Sequence, residues 1–374
     1  MSTCNKPKRI LALSGGGVRG IVEVAFLEAV EEAIQKKHGP EARLCDFFDL
    51  IGGTSTGSLI ATALALGISL ADIRDFYLIR AAAVFRNRRW FSRLGQVSNF
   101  DGDQLEREFI ATIGDVKLGD PAFQTLFAII TKRLDTGQPW ILSNIKSAPY
   151  FDDPADRSYT GNRHYQVSKL LRAATAAPTY FSQAVIDIGH NEIGTFVDGA
   201  MSPHNEPSFA LLQLSQLQAF GLTWETGADR LFILSLGTGA FSGGIDSRTA
   251  SRIGPLPLAY YSLRGMIRDG EQNVIATMQW LGTSPRPVHL SSEIGSLEHD
   301  TLTSEPAFTY LRLDLPLCRA TLIESGIDVS GKKLKMFQRM DDPRIIEPIY
   351  HLSKDYIRST LEIDTLLHAA YGSD

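Results

Sequence analysis

FFDLIGGTSTGSLIATALALG, residues 47–67, changes character at its centre. An apolar run ends in Gly52–Gly53, a short Thr/Ser segment closes at Gly57, and a second apolar run rich in Ala and Leu follows. Short apolar run, glycine-flanked turn and longer apolar run read as a strand ending in a turn at 47–57, then a buried helix over 58–67. The pattern also occurs earlier, in RILALSGGGVRGIVEVAFLEAVEEAI at 9–34. There a strand over 9–14 meets Gly15–Gly16–Gly17, and a helix over 20–37 sets Val22, Phe26, Ala29, Val30 and Ala33 on one face. Strand candidates recur at 123–134, 195–200 and 230–239, and helix candidates at 103–112, 166–176 and 205–220. This alternation predicts an α/β fold, a mostly parallel central sheet with helices on both faces. Such sheets place their chemistry at the carboxyl ends of strands, where these glycine turns fall.

After about residue 240 the chain becomes rich in Gly, Ser and Pro, then helix-like over 256–281 and 343–369, with a strand-like AFTYLRLDLP between them. We expect one large domain, a catalytic unit over 8–240 with a C-terminal extension, 241–374, packed on it. The 374 residues can bury a large core, and 44% hydrophobic with 21% charged residues is a globular balance. A net charge of −5 gives no support to wrapping a nucleic-acid polymer. Three cysteines, Cys4, Cys45 and Cys318, form neither a CxxC pair nor a metal spacing and read as a reduced, intracellular set. The longest apolar stretch, 59–68, is about half of what a bilayer-spanning helix needs. The expectation is a cytoplasmic protein that meets a membrane only from the side.

Gly15, Gly17 and Gly20 match G-x-G-x-x-G, but the next strand ends in Gly-Thr-Ser, with no carboxylate for a ribose. No Gly-Lys-Ser/Thr follows either, so a phosphate-binding loop fits poorly. Gly53–Thr54–Ser55–Thr56–Gly57 fits G-x-S-x-G between a predicted strand and a predicted helix, where a nucleophile elbow belongs. Flanking glycines permit the strained turn that lifts Ser55 Oγ clear of the sheet, and the helix N-terminus favours negative charge beside it. A serine nucleophile needs a base. None of His38, His164, His190, His204, His289, His299, His351 or His368 has a persuasive setting. Asp198, in TFVDGA, is a lone acid at a strand end with Gly199 beside it; alone it also reads as a simple turn former.

SGGGVRG, GTSTG, ATAAPTYF (174–181) and DGA (198–200), in that order, resemble the patatin-like phospholipase family. The four blocks span residues 10–200. The resemblance implies a patatin-type variant of the α/β-hydrolase fold and a Ser–Asp dyad, with Ser55 as nucleophile and Asp198 as base. It implies an oxyanion hole in the glycine loop, Gly15, Gly16, Gly17, Val18, Arg19 and Gly20, an elbow framed by Gly53 and Gly57, and an acid loop continuing through Gly199 and Ala200. Ala174–Thr175 stands where many members carry Ala-Ser; Thr keeps the hydroxyl. Arg19 is expected to buttress the loop or to meet a phospholipid phosphate. An unperturbed Asp, with a pKa near 4, is a poor base for a serine hydroxyl, so the site must raise that value or rely on the oxyanion hole.

The implied activity is fatty-acid release from membrane phospholipids or lysophospholipids through an acyl-enzyme, with no metal and no cofactor demanded. A bacterial group of such enzymes is switched on by a cyclic dinucleotide, and the chain's size and motif spacing are compatible with it, although no nucleotide pocket is legible. VFRNRRWFSRL (84–94) mixes Arg86, Arg88, Arg89 and Arg93 with Phe85, Trp90, Phe91 and Leu94, which suits an anionic membrane surface; a solvated loop with a few buried aromatics is the alternative. The oligomeric state stays open. Two other readings also remain: a Ser–His–Asp esterase drawing on His289, His299, His351 or His368, and a non-catalytic nucleotide sensor.

Overall fold

The computed structural model describes residues 6–86, 98–189, 192–241 and 247–371. Its strands are β1 (Lys8–Leu13), β2 (Leu50–Thr54), β3 (Leu126–Arg133), β4 (Pro139–Ser143), β5 (Ala184–Gly189), β6 (Glu192–Asp198), β7 (Leu231–Leu236) and β8 (Thr309–Leu313). They form one sheet in the order β5-β6-β3-β2-β1-β7-β8, with β4 also paired to β3. The pairs among β3, β2, β1, β7 and β8 are parallel, whereas β4, β5 and β6 pair antiparallel. β2 and β7 are buried along their whole length and β1 and β3 along most of theirs, as two-sided coverage requires.

The helices used below are α1 (Gly20–His38), α2 (Thr56–Ala65), α3 (Gly102–Ile113), α4 (Val167–Ala174), α5 (Ser208–Gln216), α6 (Pro255–Leu281), α7 (Ile346–Thr360) and α8 (Ile363–Tyr371). Leu11, Leu13, Ile51 and Ile129 face a core built with α1, α2, α3, α4, α7 and α8. The alternate residues Ile10, Ala12, Leu50 and Ala128 face a second core built with α5 and α6. Helices thus cover both faces, as the alternation of runs predicts.

Several expectations are refined. Helix α1 is buried on every side from Gly20 to Leu27, not only along one stripe, because it lies between the sheet and α7. The helix expected over 343–369 is two helices, since Leu361 takes extended backbone and buries its side chain between them. The helix expected from 205 starts at Ser208, whose N–H and hydroxyl both donate to the Glu206 carboxylate. β8 comes from the region after 240 and pairs with β7 at the sheet edge.

The registers on β3 position the site. β4 takes one edge of β3 over Ala128–Lys132. The other edge is shared: β2 pairs with Leu126–Ile130 and the antiparallel β6 with Thr131–Arg133. Two strands running in opposite directions therefore meet end to end. Thr54, opposite Ile130, comes beside Asp198, opposite Thr131.

Candidate active site

Ser55 follows β2 directly, with φ 53° and ψ −122°. That is a strained conformation for a side-chain-bearing residue, and it separates the strand from α2 within one residue. The flanking glycines are required by contact. A Cβ on Gly53 would lie 2.1 Å from the carbonyl carbon of Gly57, and one on Gly57 would lie 2.3 Å from the Leu13 carbonyl oxygen. Beneath the serine, Ser58 Oγ donates to the Gly53 carbonyl at 2.7 Å. Thr54 Oγ1 donates to the His204 carbonyl, and the Thr56 hydroxyl is bonded to the Tyr77 phenol.

Ser55 Oγ donates to Asp198 Oδ2 at 2.7 Å, and both residues are buried. The second carboxylate oxygen, Oδ1, accepts the Ala200 N–H at 2.9 Å. The Asp198 N–H donates to the Ala176 carbonyl at 3.1 Å, which ties the strand end to the 174–181 segment. Burial raises the Asp198 pKa to about 6; the hydrogen bonds from Ala200 and Ser55 hold it from rising further. The carboxylate is thus a stronger base than an exposed aspartate, and it carries its charge at neutral pH.

The glycine turn after β1 stands opposite. Gly15 N–H donates to the Asn205 carbonyl (3.1 Å), Val18 N–H to the Met340 carbonyl (3.0 Å), Arg19 N–H to the Gly16 carbonyl (3.3 Å), and Gly20 N–H to the Gly17 carbonyl. Among the described residues, the amides of Gly16 and Gly17 have no acceptor, and both residues line the cavity beside Ser55. Gly17 has φ 61°, and a Cβ there would sit 2.4 Å from the Met340 oxygen. Of the six residues expected to form an anion-stabilising turn, two have amides without an acceptor among the described residues, and the other four amides are bonded within the turn or to Asn205 and Met340.

Arg19 is buried. Its Nη1 donates to the Gly239 carbonyl at 3.4 Å, its guanidinium lies 5.3 Å from the centre of the Phe241 ring, and burial lowers its pKa to about 10. These contacts tie Arg19 to the 239–241 segment. Thr238 Oγ1 donates to the Gly15 carbonyl at 3.0 Å.

Behind the turn lies a charged cluster that the motifs do not announce. Arg312, on β8, donates through Nη1 to Ser14 Oγ (2.8 Å), Ser235 Oγ (2.7 Å) and the Leu236 carbonyl (3.0 Å). Its Nη2 meets Glu271 at 2.9 Å and Asp314 at 3.2 Å, and Glu206 lies 3.7 Å from Nη1. Glu23, fully buried on α1, accepts the Ser14 N–H at 2.7 Å, and burial raises its pKa well above the ordinary range. Glu23 does carry a sequence signal, as the single charge within the apolar run Ile21–Leu27. Arg312, Glu271, Asn205 and Met340 carry none.

Ser55, Asp198, Gly16 and Gly17 open onto one cavity of about 670 Å³. One side is apolar, with Leu59, Phe76, Phe85, Leu105, Phe109 and Phe181; the other is charged, with Arg264, Arg268 and Glu271 of α6. Among the described residues no histidine lines it. The Arg-rich stretch 84–94 falls from residue 87 onward outside the described residues. Within its described part, Val84 is buried and Phe85 packs edge-on against Phe100 and Phe181. No helix among the described residues is long and apolar enough to cross a membrane.

A family model described as "Patatin-like phospholipase" matches residues 11–211. The chain is 26% identical over 223 residues to "Patatin-like protein 2" of Oryza sativa subsp. indica, covering 55% of this chain and 53% of that one. It is 29% identical over 215 residues to a "cGAMP-activated phospholipase" of Vibrio cholerae, covering 54% and 56%. The chain thus spans little more than half the length of these relatives. Human GIVD cytosolic phospholipase A2 superposes with a TM-score of 0.46 at 14% identity, over 98% of this chain and 60% of that one.

Proposed function

The chain belongs to the patatin-like phospholipase family, and from that premise we propose that it hydrolyses acyl esters of membrane phospholipids through a Ser55–Asp198 dyad. The observation that carries the reading is the 2.7 Å hydrogen bond from Ser55 Oγ to a buried carboxylate, made at the wall of a cavity with an apolar side. Asp198 accepts the Ser55 proton as Oγ adds to the ester carbonyl. The carbonyl oxygen, now negative, accepts from the Gly16 and Gly17 amides; one such donor in a dry site is worth roughly 3 kcal/mol. Collapse expels the glycerol alkoxide, which takes the proton from Asp198 and leaves the acyl chain on Ser55. Water, deprotonated by the same carboxylate, then releases the fatty acid. The apolar wall holds the acyl chain.

The likeness to the Vibrio cholerae protein, whose name states activation by cGAMP, extends the proposal to a cyclic dinucleotide as activator. The test is fatty-acid release from mixed phospholipid vesicles, with and without cyclic dinucleotides. Ser55→Ala and Asp198→Asn should each lower release by about a thousandfold. Because the carboxylate must be ionised to act, kcat/KM should fall about tenfold per pH unit below a pKa of about 6 and stay level above it. Release by Ser55→Ala equal to that of the parent protein overturns the reading.

A further inference from the structure

Helix α6 is built in two unlike halves. Its second half is anchored: Val274, Ile275 and Met278 are buried in the core shared with α5 and β8. Its first half stands out from the fold, and every residue from Pro255 to Ala259 is exposed. Leu256 is 84% and Met266 71% exposed; with Ala259, also exposed, they fall at i, i+3 and i+10, on one face of the helix. Arg264 and Arg268, about 80° and 120° round the helix from Leu256, line the cavity. Apolar side chains on this face are thus turned to water, while Arg264 and Arg268 line the cavity together with Leu263 and Ile267.

The charge pattern narrows what could cover this face. From Ser247 to Arg268 the chain carries Arg248, Arg252, Arg264 and Arg268 and no acidic residue, with Asp246 and Asp269 bracketing the run. Arg248 and Arg252 are exposed just ahead of the helix. A symmetric contact between two copies would set like-charged clusters against each other, which is unfavourable. An anionic lipid surface satisfies both features, since the apolar stripe enters the acyl boundary while Arg248 and Arg252 meet phosphates.

We propose that the first half of α6 is a membrane-docking element that seats the cavity mouth on an anionic phospholipid bilayer. The choice of a bilayer rests in part on the reading of the site as a lipid hydrolase. The second half is anchored in the core, and Leu263, Arg264, Ile267 and Arg268 of the first half line the cavity, so docking of the stripe would bring the cavity lining towards the lipid without rearranging the core.

Co-sedimentation of the full chain with vesicles of phosphatidylethanolamine and phosphatidylglycerol (3:1), and with phosphatidylcholine vesicles, tests this in a Ser55→Ala background that consumes no lipid. Leu256→Glu with Met266→Glu should weaken partitioning onto the anionic vesicles by about tenfold or more. Arg248→Gln with Arg252→Gln should reduce the preference for anionic over zwitterionic vesicles by about tenfold. With Ser55 restored, the Leu256/Met266 variant should cleave the soluble ester 4-nitrophenyl butyrate at the parental rate. Unchanged partitioning in both variants overturns the inference. So does a dimer, seen by sedimentation velocity, that the Leu256/Met266 variant dissolves while vesicle binding stays intact. If the parent cleaves the soluble ester no faster than Ser55→Ala, the proposed function fails, and the sedimentation result still judges the docking surface by itself.

Discussion

At the end of β2 the backbone shape of the turn around Ser55 is set mainly by its own sequence, with Thr54 and Thr56 bonded to His204 and Tyr77 at its flanks. Gly53 and Gly57 allow the strand and α2 to touch, and Ser58 Oγ closes onto the Gly53 carbonyl, all within six residues. At the end of β1 the Gly15–Arg19 turn is held from a distance. Its bonds run to Asn205, Thr238, Gly239 and Met340, and the preceding Ser14 is fixed by Glu23 and Arg312. The two turns face one cavity and serve one bond, yet one is a local solution and the other a tertiary one. A G-x-S-x-G elbow can therefore be recognised in a string of letters, whereas the precision of its partner depends on residues more than two hundred positions away.

The contrast can be broken in three ways. The largest effect is expected from Gly57→Ala, which drives a Cβ into the Leu13 backbone and must pry α2 from β1. Destabilisation of about 3 kcal/mol or more, read from the urea midpoint, should accompany loss of ester hydrolysis. A stable, active Gly57→Ala protein would mean that the elbow does not need the close approach of α2 to β1. Next, Arg312→Met leaves Glu206, Glu271 and Asp314 without their shared cation and frees Ser14. Removing one partner from such a buried cluster costs about 3–5 kcal/mol. Activity per folded molecule should also fall, although every motif is intact; unchanged activity would show that the glycine turn needs no remote clamp. The smallest effect is Thr238→Val, which removes one hydrogen bond to the Gly15 carbonyl, about 1 kcal/mol. It should lower kcat with little change in KM, measured on a soluble ester, because only the anion-facing turn is loosened.

Legibility in the sequence follows the same division. The parallel core, the strand–turn–helix units and the residues Ser55, Gly53 and Gly57 are readable because periodicity and glycine placement are local properties. Asp198 is readable as an acid at a strand end, but that strand is antiparallel to β3, and its head-on approach to β2 comes from the β3 register alone. β4 (PWILS) and β5 (AVIDIG) are apolar but short, and an apolar run of that length does not by itself distinguish a strand. The narrowing of the glycine turn to the Gly16 and Gly17 amides is invisible in the letters, since it depends on which neighbours already hold acceptors. Arg312 reads as one more charge in an amphipathic strand until β8 is placed beside β7.

The position of Arg312 also bears on synthesis. A ribosome delivers Ser55 and Asp198 long before it delivers β8, so a growing chain carries both motifs while Ser14 still lacks its clamp and the sheet edge beside β7 is open. Assembly of the glycine turn is thus a late event in translation. A product interrupted before residue 309 would contain every recognisable signature of the site without the part that makes it rigid.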